Sequence, residues 1–228
     1  METPQAADPQ RHRERLRFRR PEQRGRVQEV GGSVMSTAAV EEPLSFEEPL
    51  SFDEFLALEE VAERKYEYVD GYVYALAGAW RRHNDVAASI FLRLGQEAVG
   101  HGCRIYGSDM LLKAASAVGE VGYYPDVHIV CDRTDQHERY SERPCIIVEV
   151  LSDSTKRIDR GEKLLAYTRI ASLEAYLIVS QDQRRVERHW RDGDEWQLEL
   201  IVGEGVIPLP CIGGELSLDD IYGRATEG

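Results

Sequence analysis

A run of seven residues, Cys145-Ile-Ile-Val-Glu-Val-Leu151, constrains the fold more than any other stretch of the chain. Six of the seven are apolar. The run is far too short to cross a bilayer, which takes about 20 apolar residues in a helix. It reads as a strand buried on both faces, and such strands sit inside a sheet covered by other elements on each side. Glu149 stands in its middle. A carboxylate there is strongly unfavourable unless a cation or a set of donors compensates it.

A second acid opens a second apolar run. Asp126-Val-His-Ile-Val130 follows Pro125, whose ring fixes the entry of the strand and whose nitrogen donates no hydrogen bond. If the two strands are neighbours, Asp126 and Glu149 converge on one cleft. Two carboxylates with waters and a phosphate suit Mg²⁺, an octahedral, oxygen-seeking ion; Mn²⁺ is the alternative. Such an ion lowers the pKa of a bound water and neutralises charge on a phosphate. An acid at a strand start is more often a turn or cap residue, so Glu149 gives the pair its weight.

The rest of the chain alternates strand and helix patterns. Tyr66–Val69 and residues 72–77 are β-rich and joined by Asp70-Gly71, a two-residue hairpin signal. Residues 84–99 carry Val86, Ile90, Leu94 and Ala98 at helical spacing, closed by Gly100 and Gly102. Strands are expected at 105–113, 123–130, 145–151 and 175–179, and three more at about 185–190, 195–202 and 206–210, with a hairpin at Asp192-Gly193. A helix is expected over 160–170. This order predicts an α/β sandwich around a central mixed sheet flanked by helices.

Upstream, Glu-Glu-Pro-Leu-Ser-Phe occurs at 41–46 and again at 47–52, and only the second copy leads into a helix, with Ser51 and Glu54 as a capping box. Eight arginines fall between Arg11 and Arg26 with few large apolar neighbours. Residues 1–42 are therefore expected to be a disordered basic extension, and 43–228 the folded domain. The first 34 residues hold eight Arg and five acids, +3; against −13 for the whole chain, the remainder carries −16. That balance speaks against blanket binding to nucleic acid or anionic membrane. Any contact with DNA has to be local. Cys103, Cys131, Cys145 and Cys211 lie far apart with no Cys-x-x-Cys pair, so a zinc site is not indicated and they read as small core residues. The N-terminus lacks the apolar stretch of a secretory signal, which leads to the expectation of a reduced, cytoplasmic setting.

Asp159, Lys163 and Tyr167 share one helix face. On spacing alone the first two form a surface ion pair worth ~0.3–0.5 kcal/mol. Their order after Glu149 adds a resemblance. Pro125-Asp126, Ile146-Ile-Val-Glu149-Val-Leu-Ser-Asp-Ser-Thr155, Asp159-Arg-Gly-Glu-Lys163 and Tyr167, with Tyr66-Glu67-Tyr-Val-Asp70-Gly71 and His83 upstream, resemble the Uma-two family within the PD-(D/E)XK nuclease superfamily. The resemblance covers about residues 50–210 and implies a restriction-endonuclease-like fold. It also implies a Mg²⁺-dependent endonuclease with DNA as substrate. Asp126 and Glu149 would be the metal ligands, and Glu67, Asp126, Glu149 and Lys163 the catalytic set. The superfamily pattern places a lysine two residues after the glutamate, where this chain has Leu151. The resemblance implies that Lys163 has taken over that role.

Asp109 and Lys113 border the cleft or face solvent with equal weight, His83 reads as a cap or surface residue, and His128 is assigned no role. Duplex cutting favours a homodimer, since two strands need two sites. The alternative to an enzyme is an inactive module on the same fold, binding nucleic acid or a protein. A third reading is a metal hydrolase acting on a small phosphorylated substrate. Walker, Gly-x-Ser-x-Gly and His-Glu-x-x-His motifs are absent.

Overall fold

Ser51 starts the first helix as its sequence demands. In α1 (Phe52–Glu59) the Ser51 hydroxyl accepts the Glu54 N–H at 3.3 Å, and the Glu54 carboxylate accepts the Ser51 N–H at 2.9 Å. The computed structural model describes residues 48–76, 78–152 and 158–223. The Arg-rich segment, the first hexapeptide copy and residues 153–155 of the Ser-x-Ser-Thr run lie outside the described residues.

Helix α1 buries Phe52, Phe55, Leu56 and Leu58 against Tyr66, Tyr68 and Val73 of the hairpin β1 (Tyr66–Val69) and β2 (Tyr72–Ala75). Val69 pairs with Tyr72, which leaves Asp70 (φ 50°) and Gly71 (φ 96°) as the two-residue turn. Two successive positive φ values match the right-handed twist of the strands they join.

Helix α2 (Arg81–Gly100) buries the expected stripe Val86, Ile90, Leu94 and Ala98, and starts three residues before Asn84. The strands expected at 105–113 and 123–130 are each divided. The first becomes β3 (Arg104–Gly107) and β4 (Leu111–Ala115), the second β5 (Glu120–Tyr123) and β6 (Val127–Val130). In both cases the chain crosses between sheets: β3 and β6 enter one, β4 and β5 the other. A turn closed by the Met110 N–H on the Gly107 carbonyl makes the first crossing. Pro125, which cannot complete a ladder, lies in the second.

The remaining elements are β7 (Tyr140–Ser141), β8 (Ile146–Leu151), a π-helical turn Asp159–Lys163 running into α3 (Leu164–Tyr167), β9 (Ala175–Ser180), β10 (Arg185–Asp192), β11 (Glu195–Val202), β12 (Val206–Leu209), a 3₁₀ turn Pro210–Ile212, β13 (Gly214–Ser217) and α4 (Leu218–Tyr222). The six-stranded sheet runs β11-β10-β9-β8-β6-β3 and is mixed, because β8 and β9 are parallel while the other pairs are antiparallel. Beyond the single sheet expected, β2-β1-β5-β4-β7 form a second, and β12-β13 a small third.

Strand β8 is buried throughout. Its Ile146, Val148 and Val150 pack in a core with the stripe of α2 and with β12, β13 and α4. Its Ile147 and Leu151 pack in a second core with Leu112, Val121 and Tyr123 of the five-stranded sheet and with Tyr167 of α3. Strand alternation puts Glu149 on the second of these faces. Among the described residues no helix is long and apolar enough to cross a membrane.

The cysteines depart from the expectation of reduced, separate core residues. Cys103 is bonded to Cys131 and Cys145 to Cys211. Arg104 pairs with Val130 across β3 and β6, so one further step sets Cys103 opposite Cys131. That pairing is non-local, and residue spacing carries no trace of it.

Candidate active site

Strands β6 and β8 pair antiparallel with Val127 opposite Val148. One further step sets Asp126 opposite Glu149, and directly opposed residues share a face. The Asp126 carboxylate accepts the Val150 N–H at 2.7 Å, which ties it to the strand that carries Glu149. His83, in the first turn of α2, lies with Nε2 3.2 Å from the same Asp126 oxygen.

The helix expected over 160–170 begins instead as the π-helical turn, a wider coil that often marks functional sites. The Tyr176 hydroxyl on β9 donates to the Asp159 carbonyl at 3.1 Å and anchors the turn to the sheet. The turn directs Lys163 inward. Its Nζ lies 3.1 Å from Glu149 Oε1, 3.1 Å from Glu67 Oε1 and 3.5 Å from Asp159 Oδ1. The Tyr167 hydroxyl donates to the same Glu149 oxygen at 3.0 Å, and the Tyr123 ring centre lies 5.2 Å from Lys163 Nζ. Lys163 is only 5% exposed and Glu149 4%. The surface ion pair that spacing alone suggests is therefore a buried one, because the π turn rotates both residues toward the core.

Burial dominates the electrostatics. It pushes the Glu149 carboxyl well above the usual range; the Lys163 charge pulls it back, and Asp159 and Asp126 add to the rise. For Lys163 burial acts downward, but Glu149 and Glu67 outweigh it, so the ammonium keeps its proton well above the ordinary lysine range. The Tyr167 phenol is raised by burial and by Glu149, which keeps it a donor. Burial lowers His83, while the hydrogen bond and charge of Asp126 more than restore it, leaving it above its ordinary value.

Glu67, Asp126, Glu149 and Asp159 gather four carboxyl groups around the one ammonium of Lys163, with His83 beside Asp126. The oxygen donors of Glu67, Asp126 and Glu149 are carboxylates. That donor type fits a hard divalent cation rather than a thiophilic one.

A family model described as "Uma2: Putative restriction endonuclease" matches residues 52–219. The chain belongs to the Uma2 family. Two uncharacterised proteins of Synechocystis sp. are similar to it. One is 31% identical over 166 residues, covering 72% of this chain and 86% of its own length; the other is 33% identical over 150 residues, covering 64% and 84%. A crystal structure from Anabaena variabilis, described as "a putative nuclease belonging to DUF820", shares the fold with a TM-score of 0.60 at 15% identity, over 78% of this chain and 99% of that one.

In this Uma2 chain all four site residues named from sequence meet around one centre. Glu67 arrives from β1 of the other sheet, facing Lys163 rather than solvent. Leu151 is buried in the second core and reaches no part of the centre with a charge. Asp109 and Lys113 are elsewhere, paired with Lys65 and Glu120. His83 is not a helix cap; that position belongs to Trp80. Its contact with Asp126 joins the helix to a residue 126 − 83 = 43 positions away and escapes local pattern. Tyr123 likewise gives no sequence signal beyond a strand aromatic.

Proposed function

We propose that the protein is an endonuclease that hydrolyses phosphodiester bonds in DNA with Mg²⁺ or Mn²⁺ held by Asp126 and Glu149. The observation that carries this reading is the buried Lys163 ammonium 3.1 Å from both Glu149 and Glu67, within a set of four acids. Membership of a family described as "Putative restriction endonuclease" supports it. Bound there, the cation would supply a water of lowered pKa and a positive charge beside the phosphate.

The chain's own groups act around that centre. Lys163 donates to the attacking water and faces the charge that builds on the phosphoryl oxygens, where a fixed donor is worth most. Tyr167 holds the Glu149 oxygen in place, His83 and the Val150 N–H hold Asp126, and Glu67 orients Lys163 or a water. Attack is direct, without a covalent intermediate. The net charge of −13 restricts DNA contact to local groups. Trp80, 79% exposed, and Arg81 stand just ahead of His83; an indole can stack on a base and a guanidinium can grip a phosphate. The setting we propose is cytoplasmic, and the working form a homodimer.

Purified protein should nick supercoiled DNA with Mg²⁺ or Mn²⁺, stop on chelation, and lose at least ~10²-fold in rate in Glu149→Ala and Lys163→Met. Equal cleavage by wild type and both variants sinks the proposal. Leu151 in the expected lysine position favours a second reading, an inactive binding module; its mark is calorimetry showing no divalent-ion uptake that depends on Asp126 and Glu149.

A further inference from the structure

Strands β6 and β8 carry acids at one end and sulfur at the other. Cys131 follows the last residue of β6, Cys145 precedes the first of β8, Cys103 precedes β3, and Cys211 lies in the 3₁₀ turn Pro210–Ile212. Five residue steps separate Asp126 from Cys131, roughly 16 Å along a strand, so the sulfur cluster is a different place from the active site. Cys131, Cys145 and Cys211 form its centre, and Cys103, the remaining cysteine of the chain, is bonded to Cys131.

Two separate cross-links would need each sulfur near its own partner and no other. Here the pairs adjoin: Cys131 Sγ lies 3.5 Å from Cys145 Sγ. The sulfurs of Cys131, Cys145 and Cys211 all fall within 4.8 Å of one another, and Cys103 is joined to Cys131. Four sulfurs at about 2.3 Å from a central ion form a tetrahedron with edges of about 3.8 Å. The supporting backbone is firm. Strands β3, β6 and β8 are hydrogen-bonded neighbours, the Cys145 N–H donates to the Ile129 carbonyl at 2.8 Å, and fully buried Ile212 seats the turn beside Cys211.

We propose that the reduced form of this cluster is a tetrathiolate site for one thiophilic divalent cation, of which Zn²⁺ is the type. A dithiol or phosphine reductant gives two electrons to each disulfide. With two protons apiece, the disulfides become four thiols, and the reductant is oxidised. The four thiols then release four protons as their sulfurs bind the ion, leaving a complex of charge −2. Soft thiolates select such a metal, whereas the acids around Lys163 select a hard one. The site would fasten the 3₁₀ turn before β13 to three strands of the large sheet.

Co²⁺ titration of the full chain, reduced with a phosphine and stripped of metal, tests this. One equivalent should develop the intense thiolate-to-cobalt absorption and the visible bands of a tetrahedral ion. Zn²⁺ should bleach them and shield all four thiols from a thiol reagent. Glu149→Gln should keep the signal, so failure of the nuclease reading leaves this one standing; Cys103→Ser and Cys211→Ser should lose it. Should a cysteine variant fail to fold, the wild-type titration still decides. Reduced protein with a native circular-dichroism spectrum and no such absorption overturns the proposal, as does absorption that survives both cysteine substitutions.

Discussion

Lys163 and Glu149 are a costly pair to bury. Removing two charges from water is repaid only by close geometry and further hydrogen bonds, here Tyr167, Glu67 and Asp159. Stability alone does not explain such an arrangement, since an apolar pair would serve it as well; the proposed chemical task would. His128 shows the opposite solution. It is fully buried on β6, its Nε2 2.8 Å from the Ser141 hydroxyl, and burial pushes its pKa down to about 3. An unfolded histidine titrates near 6.5. Between those values the unfolded chain takes up a proton that the folded chain refuses. Stability is therefore whole above about pH 6.5 and falls as pH drops toward 3, by up to about 1.4 kcal/mol per pH unit from this residue. Denaturant midpoints at pH 7.5 and 5 should differ in wild type and converge in His128→Gln. An unchanged gap would assign the acid sensitivity to other groups.

Elements differ in how far they announce themselves. The Ser51–Glu54 capping box and the Asp70-Gly71 turn are local devices, and both stand where the sequence places them. Gly71 also has little room: at φ 96° a Cβ would come 2.5 Å from Pro49 Cβ. Gly71→Val should cost about 1–3 kcal/mol in chemical denaturation and loosen β1, which carries Glu67. A variant as stable as wild type would show that the turn tolerates a side chain. Alternation told where strands lie but not which sheet they join, so the crossings at 108–110 and Tyr124–Asp126 were invisible in it. The π turn was hidden for a related reason. Its wider coil is set by Tyr176 and the acids around Lys163, not by the residues of 159–163 alone. Glu149 was legible because it breaks an apolar pattern, whereas Glu67 and Lys163 came only from the family resemblance. The His83–Asp126 contact and the meeting of the cysteines depend on distant parts of the chain coming together and were not legible.

For the whole molecule, one exposed border stands out. Among the described residues strand β11 ends the six-stranded sheet, and its Leu198 and Leu200 are 62% and 51% exposed. An unpaired edge with apolar side chains is a template for another strand, and it suits the proposed homodimer. Light scattering after gel filtration should give a dimer for wild type and a monomer for the double substitution Leu198→Lys and Leu200→Glu. A wild-type monomer at all concentrations, or a dimer untouched by the substitutions, would move the interface elsewhere. The centre around Lys163 has a further property, set by chain order. Glu67 and Lys163 touch although 163 − 67 = 96 positions separate them, and Asp126 and Glu149 lie between. During synthesis the acids emerge first and the lysine last. A half-made chain thus holds carboxylates without their ammonium, and the proposed active centre is complete only once most of the folded region has left the ribosome.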